Sequence, residues 1–250
     1  MTFEELYEVW KTDKSSSFKP TTYSVYVLTA ESHLLPNIGQ VEDVSEEDII
    51  SLQDTLRKRI GEKSSYDAAR LAMNIIRYAA KKGLCPMPNW TLRREDAFSN
   101  KHPVDFNPLT PKQQGAIIDF ISKDRIPRNI GLYLAVTTGI TSGELCSLRW
   151  QDIDFRAKVL HVRCIVSNYY KIDAETQDRT WSVEVGDNTA VRDIPLSERQ
   201  LAFLEPEKDL HLPECFIVNN QSTPWERRYV RDYMNKVYDA AMTAITTIAT

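Results

Sequence analysis

Residues Leu132–Asp154 read LYLAVTTGITSGELCSLRWQDID. The apolar run that begins at Ile130 predicts a helix around Asn129–Thr138, closed at Gly139, because glycine enters the left-handed conformation that ends helices at least cost. The Gly139-Ile140-Thr141-Ser142-Gly143 that follows has the outline of a nucleophile elbow, but G-x-S-x-G needs serine in the middle and Thr141 stands there. An esterase is set aside on that ground. The chain holds no G-x-x-x-x-G-K-[ST] and no G-x-G-x-x-G, so a nucleotide phosphate loop has no support either.

Downstream of this stretch, Val159–Val166 and Trp181–Val185 are β-branched and aromatic enough for strands, with Val191–Ile194 as a third before Pro195. Arg228–Met242 is a last helix, with Tyr229, Tyr233, Val237 and Ala241 on one stripe. Upstream, Thr110-Pro111 is a helix cap and first-turn pair, with Ile117, Ile118 and Ile121 behind it. Before that the periodicity lapses. Residues 1–90 instead carry four helical segments: Thr2-Phe3-Glu4-Glu5 opens the first as a capping box. Thr21 or Thr22 is expected to cap the second, which Pro36 and Gly39 stop, and Ser45–Asp48 opens the third. The fourth spans roughly Ser65–Lys82 and ends at Gly83. The predicted organisation is mainly α: a four-helix domain over 1–90, a linker over 91–110, and an α+β domain with a small antiparallel sheet over 111–250.

The 250 residues are 42% hydrophobic and 26% charged, with 8 glycines and 12 prolines, which excludes disordered and collagen-like classes. No apolar run approaches the ~20 residues of a membrane span, and Met1-Thr2-Phe3-Glu4-Glu5 lacks the regions of a signal peptide. A cytoplasmic protein with no membrane contact is expected. Cys85, Cys146, Cys164 and Cys215 lie far apart without a C-x-x-C, which points to reduced thiols and no zinc site. His33, His102, His161 and His211 are scattered, and His161 falls in a strand pattern as a structural histidine. The acidic Glu42, Asp43, Glu46, Glu47 and Asp48 suit a helix N-terminus, where the dipole favours negative charge, better than a metal. No metal or cofactor is expected.

The formal net charge of −4 conceals a division. Arg57–Arg94 holds ten basic and two acidic residues, a local +8, which leaves −12 on the rest. Such asymmetry points to a polyanionic partner. On the fourth helix Arg70, Asn74, Arg77 and Lys81 fall within roughly 60° of one another, opposite a core stripe of Ala69, Ala72, Met73, Ile76 and Ala80. Arg and Asn read guanine and adenine edges, while lysines such as Lys63, Lys81 and Lys82 suit phosphates. Glu at i,i+4 positions is absent from this face, which favours nucleic acid over a merely solvated surface. The expected DNA-binding residues are Lys63, Arg70, Asn74, Arg77, Lys81 and Lys82, and the expected partner is double-stranded DNA.

The stretch Leu132–Asp154 also closely resembles the first catalytic box of the tyrosine recombinases, the phage integrase family. Val191-Arg192-Asp193-Ile194-Pro195-Leu196 resembles the end of that family's β-hairpin. Lys19–Tyr23, Leu35–Gly39 and Tyr78–Gly83 are similar to its helical, SAM-like core-binding domain. The resemblance spans almost the whole chain in the family's order. It implies two domains gripping duplex DNA, site-specific recombination and integration of a mobile element, and a second copy or a recombinase as partner on DNA.

The departures carry equal weight. In the family an arginine stands at the position of Thr141, where it stabilises the scissile phosphate, and threonine supplies neither charge nor a bidentate fork. The hairpin lysine expected before Arg192 has no counterpart in Val185–Ala190. The family's His-x-x-Arg box and nucleophilic tyrosine find no match before Thr250, and Tyr229, Tyr233 and Tyr238 are expected in helix packing. No intact catalytic residue is expected; Glu144 matches the family's acidic residue three positions after the arginine and is assigned a structural role. The resemblance therefore implies a DNA-binding member that lacks cleavage competence, the alternatives being a truncated form of an active recombinase or a non-catalytic partner acting through protein contacts.

Overall fold

The structure, a computed structural model, describes residues 1–41, 44–92, 109–173 and 176–248, with side chains up to residue 244. Most of the predicted linker 91–110 lies outside the described residues, as do Glu42, Asp43, Arg93, Arg94, His102 and Thr250. The chain divides into two compact units, Met1–Phe106 with Tyr169–Thr180, and Asn107–Asn168 with Trp181–Thr250.

In the first unit α1 (Phe3–Lys14) opens on the predicted box: Thr2 Oγ1 accepts from the Glu5 amide at 3.1 Å and Glu5 accepts from the Thr2 amide at 2.8 Å. Helix α2 (Pro20–Thr29) starts earlier than either threonine expected to cap it. Lys19 is the cap and Pro20 takes the first position, where its missing N–H costs nothing. The helix runs on through a wide π turn at Ala30–Leu34. Helix α3 (Glu46–Ile60) has the predicted Ser45–Asp48 box. Helix α4 (Glu62–Lys81) begins a turn before the expected Ser65, whose hydroxyl instead donates back to the Glu62 carbonyl at 2.8 Å. Gly83, at φ 75°, closes it as predicted.

Phe3, Leu6, Tyr7 and Trp10 from α1 meet Ile49, Leu52 and Leu56 from α3 and the Ala68, Leu71, Ala72, Ile75, Ile76, Ala79 stripe of α4 in one core. With its apolar stripe committed, α4 turns its polar stripe outward. The segment Tyr169–Thr180 joins this unit, where the Tyr170 amide donates to Ser24 Oγ at 3.2 Å and Arg179 pairs with Glu31.

The second unit runs α5 (Pro111–Ile121), α6 (Pro127–Thr138), α7 (Ser142–Ser147), a 3-10 turn at Trp150–Asp152, β1 (Ile153–Asp154), β2 (Val159–Ile172) and β3 (Arg179–Pro195), whose joined ends belong to the first unit, α8 (Glu198–Leu204), a further 3-10 turn at Glu205–Glu207 and α9 (Arg227–Ile248). The sheet is an antiparallel meander in the order β1-β2-β3, with Ile153 opposite Leu160 and Asp154 opposite Val159. Two expected strands, Trp181–Val185 and Val191–Ile194, are halves of the single strand β3. Gly186-Asp187-Asn188 between them makes no turn, because Asn188 is drawn into the interior by a tertiary hydrogen bond described below.

Leu160, Val162 and Val166 of β2 pack with Ile130 and Leu134 of α6, Leu145 of α7 and Val230, Val237 and Ala241 of α9. The expectation for the α9 tyrosines needs correction. Tyr233 does pack against this core and donates to Asn129 Oδ1 at 2.5 Å, but Tyr229 and Tyr238 are exposed. The buried stripe runs through Val230, not Tyr229, and one residue along a helix is a rotation of about 100°. No helix among the described residues is long and apolar enough to cross a membrane.

The two glycines of Gly139-Ile140-Thr141-Ser142-Gly143 answer different demands. Gly139 closes α6 in the left-handed region at φ 71°. Gly143 sits where a Cβ would lie 2.8 Å from Ile165 Cγ1 and 3.2 Å from the Val166 carbonyl oxygen, so its missing side chain lets α7 lie directly on β2. Gly143→Ala is expected to lower unfolding stability in urea by about 1–3 kcal/mol through overpacking, and Gly139→Ala by about 1–2 kcal/mol through the left-handed backbone alone. Equal unfolding midpoints for Gly143→Ala and the parent would refute the close approach.

Candidate nucleic-acid interface

The outward stripe of α4 carries Lys63, Asp67, Arg70, Asn74 and Lys81, all exposed. All of the sequence-predicted residues but Lys82 share this helix, yet not one condition. Arg70 and Asn74 line an open cleft with Lys63. Lys63 holds Asp67 at 2.9 Å, an i,i+4 pair that corrects the expectation of a face without balancing acids. The balancing acid at that spacing is an aspartate, not a glutamate. Arg77 is half-buried and donates from Nη2 to the Trp90 carbonyl at 3.0 Å, so it ties the end of the domain down. Lys82, just past the helix, reaches back to Asp13 at 2.8 Å, where the Tyr78 hydroxyl also donates. The Lys82 ammonium, then the Tyr78 hydroxyl, hold the Asp13 carboxyl below its ordinary range.

In the second unit Thr141 caps α7, its Oγ1 accepting from the Glu144 amide at 3.3 Å while Glu144 Oε2 accepts from the Thr141 amide at 2.7 Å. The Glu144 side chain is only 4% exposed. Arg192 of β3 grips it with both guanidinium nitrogens, Nη1 to Oε1 at 2.5 Å and Nη2 to Oε2 at 3.1 Å, and Asn188 Nδ2 donates to Oε1 at 2.8 Å. The bidentate arginine foremost, then the Thr141 amide and Asn188, hold the Glu144 carboxyl down at about 2 against the opposing effect of burial. The structural role expected for Glu144 is thus a buried link between α7 and β3.

Beside this link Arg163 Nη1 donates to the Arg192 carbonyl at 2.9 Å, and Arg163 and His161 both engage Asp193, His161 Nδ1 at 2.8 Å. His161 is the satisfied structural histidine expected. Asn188 was missed at the sequence level, yet it lies four residues before Arg192, and in a strand of period two both face the same side.

Two family models match the chain: the phage integrase N-terminal SAM-like domain over residues 2–56 and the phage integrase family over residues 107–246. The chain belongs to the phage integrase family. Helix α4 lies between the two matched segments of this integrase chain. Among solved structures, the integrase of transposon Tn1549 in complex with a circular-intermediate DNA is similar with a TM-score of 0.65 at 18% identity, over 90% of this chain and 70% of that one. Lambda integrase bound to DNA gives 0.64 at 17%, over 96% and 79%. A lambda integrase tetramer bound to a Holliday junction gives 0.63 at 16%, over 96% and 64%. At these identities the likeness is one of fold. A comparison with curated protein sequences gave no match.

The segment that resembles the family's first catalytic box presents no free cation at its start. Position 141 holds a threonine engaged in capping, and the nearby guanidinium of Arg192 spends its fork on a carboxylate. Phosphoryl transfer depends on positive charge held against the phosphate oxygens, and Thr141 brings none.

The depressed Glu144 carboxyl adds stability that is complete above its ordinary value of 4.5 and is lost as pH falls towards about 2. The parent is expected to lose on the order of 3 kcal/mol more than Glu144→Gln across that window in chemical denaturation. Arg192→Ala, which leaves the carboxylate buried without its cation, is expected to cost about 3–5 kcal/mol at neutral pH. Parallel pH profiles for parent and Glu144→Gln would refute the assignment.

Proposed function

We propose that this integrase binds duplex DNA, through the exposed face of α4, at recombination sites of a mobile element, and that it does not cleave the strand it binds. The observation that carries the second half is Thr141: the family's phosphate-stabilising cation is replaced by a helix cap, and no hairpin lysine stands in Val185–Ala190 to compensate. The first half is supported by the exposed cations of α4 and by the relatives, since the Tn1549 and lambda integrases were solved bound to DNA. Lambda integrase is also recorded as a dimer and a tetramer on DNA, which supports a second copy as a further partner.

Binding to phosphates releases counterions, so affinity falls with salt in proportion to the phosphates contacted, with a slope of about 0.9 per contact. Fluorescence anisotropy with mixed-sequence duplex is expected to show a steep decline of affinity with salt. Arg70→Ala/Lys81→Ala should weaken binding and flatten the slope by about 2 if both side chains touch phosphates. Arg77→Ala is expected to act through stability, since its guanidinium is held by Trp90. Thr141→Arg is expected to raise affinity and steepen the slope by about 0.9, while losing about 1 kcal/mol of stability with the cap. No salt-sensitive binding would sink the first half; a covalent protein–DNA adduct on a nicked duplex would sink the second.

A further inference from the structure

Helix α2, which walls one side of the candidate interface, has little of its own to hold it. Only Ser24 and Val27 of α2 are buried, and Val27 lies outside both apolar cores. The helix is fixed at its end, where the π turn Ala30–Leu34 packs along α4 and places Ala30 and Leu34 in the core. Along its length Val25, Tyr26 and Thr29 line the open cleft, across from Lys63, Arg70 and Asn74 of α4.

A distant part of the chain holds α2 on its buried side. The joined ends of β2 and β3, Tyr169–Thr180, belong to the first unit, although the rest of both strands belongs to the second. The Tyr170 amide donates to Ser24 Oγ at 3.2 Å, so one of the two buried side chains of α2 is spent on this segment. The adjoining Tyr169 is buried, again outside both cores. Arg179 pairs with Glu31 in the π turn. Glu31 also accepts from the Tyr7 hydroxyl at 3.0 Å and lies 3.6 Å from the Lys11 ammonium, so α1, the π turn and the strand ends meet at one carboxylate. That side chain is 24% exposed, partly withdrawn from water, where an ion pair counts for more than on an open surface. A π turn is a rare departure from helical geometry that recurs at functional positions, and this one presents Glu31 to its three donors.

Resting on the reading that α4 faces duplex DNA, we propose that Tyr169–Thr180 is a strap that sets the position of α2 beside α4, with Ser24, Glu31 and Arg179 as positioning residues for DNA binding. Duplex held against the cleft and a docked strap then favour each other, by the reciprocity that any coupling between two sites obeys. The sign of one substitution separates this from a charge effect. Glu31→Gln removes a negative charge, which by itself strengthens attraction to a polyanion. A loosened strap weakens binding instead.

The test uses the full chain, with amide hydrogen exchange on the strap and anisotropy on mixed-sequence duplex at one fixed salt concentration. Duplex is expected to slow exchange at the Tyr170 amide of the parent. Glu31→Gln and Ser24→Ala are expected to speed that exchange and to weaken binding roughly 5-fold. Arg179→Gln should do the same, and Arg179→Lys, which keeps the charge, should recover most of both. Glu31 also serves Tyr7 and Lys11, so thermal unfolding accompanies each variant. Arg179 stands outside both cores and carries the test if Glu31→Gln unfolds. A Glu31→Gln that exchanges faster yet binds as tightly as the parent or more tightly overturns the proposal, and so does an Arg179→Gln with parental exchange. Both outcomes leave DNA binding standing. A parent that binds no duplex removes the DNA-binding reading and the positioning role with it.

Discussion

The second unit is organised by one buried carboxylate. Glu144 lies on a helix of six residues, too short to hold itself together, and it satisfies that helix's first amide through the capping box while accepting Arg192 and Asn188 from β3. A charge taken out of water costs several kcal/mol unless it is paired and hydrogen-bonded. Here the requirement fixes three things: the position of α7, the inward turn of Asn188, and the register at which β3 passes α7. Arg163 then braces the strand from its outer face by bonding the Arg192 carbonyl. Glycine at 143 is the steric counterpart of this link, since the carboxylate reaches β3 only if α7 lies against β2 without a Cβ between them.

That dependence explains which parts of the fold were legible in the sequence. Helix starts were read from local chemistry: the boxes at Thr2 and Ser45 and the cap at Thr110 form as their residues predict, because the partners lie three residues apart and need nothing from the rest of the chain. The same holds for Gly83 and Gly139 at helix ends. Errors arose where a distant partner outweighed the local preference. Gly186-Asp187-Asn188 has turn composition, yet Glu144, more than forty positions away, keeps Asn188 in a continuous strand. At Ser65 the miss is local instead: the serine has the chemistry of a cap, but its hydroxyl turns back to Glu62 and α4 starts a turn earlier.

The candidate interface was legible in kind and blurred in detail for a similar reason. Helical periodicity placed Arg70, Asn74, Arg77 and Lys81 on one face, which needs only the pitch of a helix. It could not separate Arg77, drawn in by the Trp90 carbonyl, from Arg70, left in the open cleft, because Trp90 lies beyond the helix end. Asp13 was invisible for the same reason, being nearly seventy residues from the lysine it holds. The tyrosines of α9 show the limit from the other side: a stripe drawn one residue out exchanges an exposed Tyr229 for a buried Val230.

Binding and strand cleavage draw on different charges in such a chain. Ground-state affinity for duplex comes from cations spread over a surface, each making a modest and salt-dependent contribution. Cleavage needs a preorganised charge at the one phosphate where negative charge develops, and that contribution is large because the donors are fixed and partly shielded from water. On the proposed reading, a threonine at 141 would lack the second while leaving α4 untouched. The substitution is also locally cheap, since threonine is a strong cap and the box it forms with Glu144 helps to stabilise a helix that would otherwise be marginal. On the proposed reading, a chain with cations on α4 and a neutral residue at 141 would occupy DNA without cutting it.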